Sequence, residues 1–155
     1  MIETLIIFIA RWLIYVVIGI TLAVAYFRWG QKAAARIGLT TLISFLVAEA
    51  LKYIFNTPRP FVALKEVTPL IIFDPAFPSA HTATLVALGT VIFLKNKLWG
   101  IVILVIAMIV GASRVILQVH YPIDIFGGAI VGVIVGLFIN YSPKIKLKRP
   151  IISKK

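Results

Sequence analysis

Five runs of apolar residues divide the chain, at positions 4–27, 37–56, 81–94, 98–118 and 122–141. Polar and charged residues gather in the short stretches between these runs. Because a helix needs about 20 apolar residues to cross a bilayer, most of the runs are long enough to span. Lys95 closes the third run early, so its outer end is expected below the membrane surface, or else the bilayer is thin there. The pattern predicts an all-α, polytopic transmembrane bundle of about five spanning helices.

Composition supports a membrane protein with a single domain. The chain has 155 residues, of which 61% are hydrophobic, more than a soluble domain of this size can bury. It contains no cysteine, which excludes disulfides and thiolate-held metals. The first run lacks a basic leader and a small-residue cleavage site, so it is expected to be a retained helix. Residues 1–155 are therefore interpreted as one membrane-embedded domain.

The distribution of positive charge predicts the orientation. The net charge is +11, and the basic residues cluster between apolar runs and in a tail at 142–155, as expected for cytoplasmic loops that face anionic lipid. Nucleic-acid binding is therefore not expected. The positive-inside rule places the N-terminus outside and the tail in the cytoplasm. The smaller set of cations on the outer side comprises Lys52, Arg59, Lys65 and Arg114.

Two further features concern packing. Residues 60–80 form the one long loop, and its apolar stretch 70–73 is either a lipid-contacting, re-entrant turn or a loop packed over helix ends. In the last run, Gly128, Gly132 and Gly136 recur at four-residue spacing, which lets a neighbouring helix approach closely.

The first of three chemical groups lies at the end of the second run. Lys52 and Arg59 are seven residues apart, about two helical turns, although Pro58 and Pro60 indicate that the helix ends near Asn56. Arg held in a rigid turn and Lys beside it suit a phosphate, as a bidentate fork and a point charge. The alternative is that both side chains extend to the membrane interface from a helix end.

The second group opens the third run. Ser79 is a natural N-cap, and the free amides of a helix N-terminus form an anion site. His81, in the first turn, could donate a proton to a leaving oxygen. The alternative is an ordinary serine cap followed by an interfacial histidine.

The third group joins the fourth and fifth runs. Arg114 ends the fourth run on the outer side, and Pro122 suits the first turn of the fifth. Asp124 follows His120 by four residues, close enough to accept a proton from one imidazole nitrogen and leave the other as a nucleophile. The alternative for Asp124 is a helix-start carboxylate favoured by the helix dipole.

The three groups together predict phosphoryl transfer. Groups separated by whole helices converge on one membrane face, and phosphoryl transfer needs little beyond positioning and positive charge. Side-chain cations take the place of a metal, and no cofactor is expected. The carboxylates form no cluster that could hold Mg²⁺; they are Glu3, Glu49, Glu66, Asp74 and Asp124.

The sequence resembles the type 2 phosphatidic acid phosphatase superfamily. Its three motifs, K-x6-R-P, P-S-G-H and S-R-x5-H-x3-D, match Lys52–Pro60, Pro78–His81 and Ser113–Asp124 in order and spacing. The match covers the core 52–124. Ala80 replaces the motif glycine and leaves less backbone room beside a phosphate, and the chain shows five spans where integral members usually have six.

The resemblance implies a role for each motif residue. His120 would be the nucleophile that forms a phosphohistidine, Asp124 would orient it, and His81 would be the general acid. The phosphate oxygens would be bound by Lys52, Arg59, Ser79 and Arg114.

The resemblance favours a lipid substrate on the outer leaflet, first a polyprenyl diphosphate such as undecaprenyl pyrophosphate. Phosphatidylglycerolphosphate or phosphatidate is the alternative, and a small lipid transporter or flippase is the alternative to an enzyme. The sequence does not fix the lipid or the oligomeric state. Glu49 is expected to pair with Arg11 or Lys52, because an unpaired charge inside the bilayer is costly.

Overall fold

The structure, a computed structural model, describes residues 1–64 and 74–142, which form a bundle of helices. In chain order the helices are α1 (Ile2–Arg11), α2 (Leu13–Trp29), α3 (Gln31–Phe55), α4 (Pro60–Leu64), α5 (Ala80–Lys95), α6 (Lys97–Ile116) and α7 (Pro122–Tyr141). The predicted fold class is confirmed. The five apolar runs correspond to α1 with α2, and then to α3, α5, α6 and α7.

The sequence predicted that the first run is one continuous helix, and this prediction is wrong. The run breaks at Trp12, where α1 and α2 meet at an angle of 52°. Arg11 therefore closes α1, and its guanidinium carbon lies 5.5 Å from the centre of the Trp12 ring. The carbonyl of Ala10, in the last turn of α1, accepts a hydrogen bond from Arg114 at 2.8 Å. A side chain that bonds a helical carbonyl is a recognised cause of such kinks.

The helix lengths fit a multi-pass membrane protein. Among residues 1–64 and 74–142, three stretches are long and apolar enough to cross a bilayer, namely α3 with α4, α6 and α7. The bent pair α1–α2 makes a fourth if counted as one span. The fifth, α5, has 16 residues, or about 24 Å at 1.5 Å per residue. Most of α5 is buried against α3, α6 and α7, so it forms the centre of the bundle.

The glycines of α7 pack directly on α5, as their spacing predicted. A Cβ added at Gly132 would lie 2.5 Å from the Ala83 carbonyl oxygen, and one at Gly128 would lie 2.5 Å from that of Ser79. Real Cβ atoms essentially never come so close. The two helices therefore approach backbone to backbone, which brings the N-terminus of α5 beside that of α7.

The segment after α3 differs in part from the sequence prediction. As expected, α3 ends at Phe55, and Asn56 caps it with a φ of 44°, a left-handed conformation that asparagine tolerates. The predicted loop 60–80 is wrong at its start, because Pro60 begins the short helix α4, a position that suits proline. The prediction for 70–73 falls outside the described residues, as do Lys65 and most of the basic tail.

The two ends of the bundle carry different residues. At one end, α3 and α6 finish and α5 and α7 begin, so all three chemical groups lie there. At the opposite end, Arg36 donates to the carbonyls of Asn140 at 2.6 Å and Ser142 at 3.3 Å, which ties the start of α3 to the end of α7. Lys95, also at this end, lies 5.6 Å from the centre of the Trp29 ring.

Candidate active site

His120 and Asp124 form a buried pair at the junction of α6 and α7. The imidazole Nδ1 lies 3.2 Å from Asp124 Oδ2, and the same oxygen accepts the Tyr121 backbone N–H at 2.8 Å. The backbone N–H groups of Val119 and His120 both donate to the Arg114 carbonyl, which fixes the turn. When Nδ1 donates to the carboxylate, Nε2 keeps a free lone pair.

The surroundings keep His120 uncharged. Burial lowers its pKa to about 4, and this outweighs the opposing effect of the hydrogen bond to Asp124. Nearby Arg114 and Arg59 lower the pKa further, because they repel a second positive charge. At neutral pH the imidazole is therefore neutral, as a nucleophile must be.

Arg59 lies directly beside that lone pair. Its Nη1 is 3.4 Å from His120 Nε2 and donates to the Val119 carbonyl at 2.7 Å. The chain reaches this position because the Phe61 N–H at the start of α4 donates to the Gln118 carbonyl at 3.1 Å. The guanidinium is 2% exposed, so its charge is little screened by water. A phosphoryl group bound to Nε2 would lie in direct contact with Arg59.

Lys52 joins this network through two carboxylates. Its Nζ lies 2.7 Å from Glu49 Oε1, one turn earlier on α3, so of the two predicted partners of Glu49 the structure selects Lys52. Lys52 also contacts Asp74 Oδ2, and Arg59 Nη2 reaches the same oxygen at 3.0 Å. No sequence motif predicted a role for Asp74. Asp74 lies outside the three motifs, and the one signal was its place five residues before Ser79.

The two cations also set the charge state of Asp74. Burial alone would raise the pKa of this carboxyl, but the hydrogen bond and charge of Lys52, together with the charge of Arg59, lower it overall. Asp74 is therefore an anion at neutral pH, held against both predicted phosphate-binding cations.

Ser79 caps α5 as predicted. Its hydroxyl oxygen accepts the Thr82 N–H at 3.5 Å and also contacts the Thr82 hydroxyl at 3.1 Å. Its own backbone N–H donates to the Asp124 carbonyl at 3.0 Å, which joins the start of α5 to that of α7. The side chain is fully buried. Contact between Ser79 and a phosphate stays a prediction.

Arg114 and His81 lie on the other side of the site. Arg114 is 4% exposed, and its Nε has no hydrogen-bond partner among residues 1–64 and 74–142. His81 lines a cavity of about 290 Å³ between α2, α3 and α5. The other lining residues are mostly apolar; they are Ile14, Tyr15, Ile18, Thr41, Leu42, Phe45 and Thr84. His81 thus faces a mostly apolar cavity, while His120 faces Arg59.

Within the described part of the chain, no group of three or more His, Cys, Asp or Glu side chains could hold a metal ion. The charge at this end of the bundle comes instead from the buried cations Lys52, Arg59 and Arg114. Such an arrangement can bind a phosphate, present a neutral imidazole to it and balance its negative charge.

Comparisons with known proteins show one family match and several relatives. The model of the PAP2 superfamily matches residues 33–147. The chain is 39% identical to "Bacitracin transport permease protein BcrC" of Bacillus licheniformis, over 72% of this chain and 59% of the relative, so it spans less than two thirds of that protein. It is 29% identical to "Undecaprenyl-diphosphatase BcrC" of Bacillus subtilis, over 97% of this chain and 78% of the relative.

Two solved structures share the fold. The crystal structure of LpxE from Aquifex aeolicus matches with a TM-score of 0.76 and 28% identity, over 91% of this chain and 86% of that one. A transmembrane PAP2-type phosphatidylglycerolphosphate phosphatase from Bacillus subtilis matches with a TM-score of 0.71 and 24% identity, over 95% of this chain and 77% of that one.

Proposed function

This chain belongs to the PAP2 superfamily, together with the membrane phosphatases it resembles, and we propose that it removes phosphate from a lipid through a phosphohistidine at His120. The observation that carries the proposal is the buried His120–Asp124 pair, whose Nε2 faces the guanidinium of Arg59 at 3.4 Å. Few structural roles need a neutral imidazole oriented by a carboxylate with an arginine over its lone pair. A histidine that attacks phosphorus uses the neutral, oriented imidazole as the nucleophile and the neighbouring arginine to bind the phosphate oxygens.

The reaction follows from these positions. His120 Nε2 attacks phosphorus, and the bond between phosphorus and the leaving oxygen breaks. His81 donates a proton to that oxygen, so the lipid leaves uncharged at that atom or, from a diphosphate, as a monophosphate. Water then attacks phosphorus and gives a proton back to His81, and the phosphorus–nitrogen bond breaks, which releases phosphate and restores His120. Asp124 stabilises the charged imidazole, and Lys52, Arg59, Ser79 and Arg114 bind the phosphate oxygens.

The substrate of first choice is undecaprenyl diphosphate. The Bacillus subtilis relative is named for that activity and is matched over 97% of this chain. The apolar cavity beside His81 offers a place for the first units of a lipid chain, next to the proposed proton donor. Phosphatidylglycerolphosphate and phosphatidate remain the alternative substrates, because apolar side chains do not distinguish one lipid tail from another.

A panel of lipid phosphates tests both the activity and its independence of metal. We expect the purified protein in detergent to release phosphate from undecaprenyl diphosphate fastest, and to do so equally well in EDTA, because side-chain cations supply the positive charge. Phosphate release is measured with and without the chelator, and the His120→Ala protein is the blank. Loss of most activity in EDTA, restored by Mg²⁺, contradicts the histidine mechanism.

Transport is the second candidate, because the Bacillus licheniformis relative is named a transport permease. A transporter of this kind needs a release path on the far side of the membrane, typically between broken helices. Among the described residues the one bent pair is α1–α2, and its bend lies on the side of the site, where Arg114 bonds Ala10. The proposed site, by contrast, has the groups that hydrolysis requires.

The proposed orientation has the active site outside and the basic tail in the cytoplasm, and it predicts a labelling pattern. The chain contains no cysteine, so single cysteines can be introduced at Glu3 and at Lys155 without a background signal. In intact cells, a membrane-impermeant maleimide should label Glu3→Cys and leave Lys155→Cys unlabelled until the membrane is permeabilised. The opposite pattern contradicts both the orientation and the outer-leaflet substrate.

A further inference from the structure

We propose that Asp74 is an internal competitor of the phosphate: its carboxylate occupies the anion position between Lys52 and Arg59, and a substrate phosphate must displace it. The inference rests on the proposed function, which makes these two cations phosphate ligands. It adds a residue that belongs to none of the three motifs and that sets how tightly the site holds substrate and product.

The first support is the way in which Asp74 binds. A single oxygen, Oδ2, contacts both Lys52 Nζ and Arg59 Nη2, the second at 3.0 Å. One anionic oxygen shared by an ammonium and a guanidinium is also how a phosphate oxygen would bind. Glu49 differs, since it contacts Lys52 from the same helix, and among residues 1–64 and 74–142 it forms no salt bridge with Arg59. Asp74 therefore takes the position shared by the two cations.

The second support is that Arg59 does not need the carboxylate to stay in place. Its Nε donates to the Asp74 backbone carbonyl at 2.7 Å, Nη1 to the Val119 carbonyl at 2.7 Å, and Nη2 to the Pro75 carbonyl at 3.3 Å. These carbonyls hold the guanidinium from three sides. The carboxylate could leave while the arginine keeps its orientation toward His120.

The third support is that the carboxylate has somewhere to go. The backbone after Asp74 is anchored, because the Ala76 N–H donates to the Thr57 carbonyl at 2.9 Å and the Phe77 N–H to the Thr57 hydroxyl at 2.9 Å. The side chain is 29% exposed, unlike the cations it contacts. It borders an open cavity of about 250 Å³ whose lining includes the polar residues Asn56, Thr57 and Arg59, where water can solvate a displaced carboxylate.

The competition has two consequences for turnover. With no substrate bound, the carboxylate balances the two buried cations, which would otherwise repel each other across a site with little water. After hydrolysis, it competes with the product phosphate for the same cations and so speeds product release. Asp74 is thus a specificity-determining residue and takes no part in proton transfer or bond formation.

Orthophosphate binding to Asp74→Asn tests the inference. Asparagine keeps the size of the side chain but removes its charge, so orthophosphate should bind roughly tenfold more tightly, the factor expected for one charge-assisted hydrogen bond. Binding is measured by titration calorimetry on the purified protein in detergent, with Asp74→Ala as a second variant that removes the acceptor altogether. Thermal unfolding of each variant shows whether the fold is intact.

Two controls are matched to this change. Glu49→Gln removes the other carboxylate beside Lys52 and should weaken phosphate binding, because Lys52 loses the partner that orients it. Glu3→Gln removes a distant, exposed carboxylate and should change nothing. Unchanged or weaker phosphate binding in both Asp74 variants overturns the inference and makes Asp74 a positioning residue.

The outcome can be separated from that of the proposed function. Calorimetry requires no turnover, so tighter phosphate binding in Asp74→Asn supports the competitor even if the wild-type protein hydrolyses no lipid phosphate. If the wild-type protein hydrolyses lipid and Asp74→Asn binds phosphate no more tightly, the inference fails alone. In an active enzyme, the inhibition constant of orthophosphate should fall by the same factor in Asp74→Asn, with kcat lowered by slower release.

Discussion

The His120→Ala protein is expected to lose hydrolysis by roughly 10⁴-fold or more, the scale seen when a catalytic nucleophile is removed. Without Nε2 no phosphoenzyme can form. The measurement is acid-labile incorporation of ³²P from labelled substrate, together with phosphate release. The hydrolysis rate of Asp124→Asn should lie between those of the wild-type protein and His120→Ala. The imidazole remains in this variant, but it loses the carboxylate that orients it at 3.2 Å.

The His81→Ala protein is the matched comparison, because it removes the other histidine at the same end of the bundle. A general acid contributes about 10²–10⁴-fold with a poor leaving group and little with a good one. His81→Ala should therefore still form some phosphoenzyme from an activated aryl phosphate, whereas His120→Ala should form none. Wild-type rates of phosphate release in both variants would contradict the phosphohistidine mechanism.

The largest effect on stability is expected from Gly132→Ala. The new Cβ would lie 2.5 Å from the Ala83 carbonyl oxygen and 2.9 Å from the Ala87 nitrogen, both backbone atoms of α5 that cannot rotate away. The helices α5 and α7 must separate, and overpacking of this kind costs about 1–3 kcal/mol. A lower midpoint of thermal unfolding in detergent, compared with the wild-type protein, is the measurement.

Gly19→Ala is the matched control. It makes the same substitution inside helix α2, but nothing lies within 4 Å of the added Cβ. Alanine is the better helix former by roughly 0.5–1 kcal/mol, so this variant should be as stable as the wild-type protein or slightly more so. Equal destabilisation by the two variants would show that the contact with α5 does not decide the effect.

The sequence predicted what depends on local pattern. Runs of apolar residues located the helices because each spanning segment must satisfy its backbone hydrogen bonds internally. The end of one helix was marked by Asn56 and Pro58, and the start of the next by Ser79 before an apolar run. Each of these residues has its own conformational preference. The four-residue spacing between His120 and Asp124 was enough to predict their contact. His120 lies just before α7 and Asp124 lies in its first turn.

The sequence did not predict features that depend on distant partners. Nothing within residues 4–27 marks the break at Trp12, because the carbonyl of Ala10 is bonded by Arg114, 104 residues further along the chain. The role of Asp74 was equally hidden. It depends on Lys52 and Arg59 meeting at one oxygen, 22 and 15 positions from Asp74 in sequence, and on a turn that brings Arg59 beside His120.

The bond between Arg114 and Ala10 has a consequence for how related sequences are selected and expressed. All the motif residues lie within 52–124, so a fragment that begins at α2 would pass any search for the motifs. It would nevertheless lack the Ala10 carbonyl, which accepts a hydrogen bond from the Arg114 side chain. A gene start assigned a dozen codons too late would therefore yield a protein that keeps every motif residue. Its Arg114, however, would lack the backbone acceptor on α1.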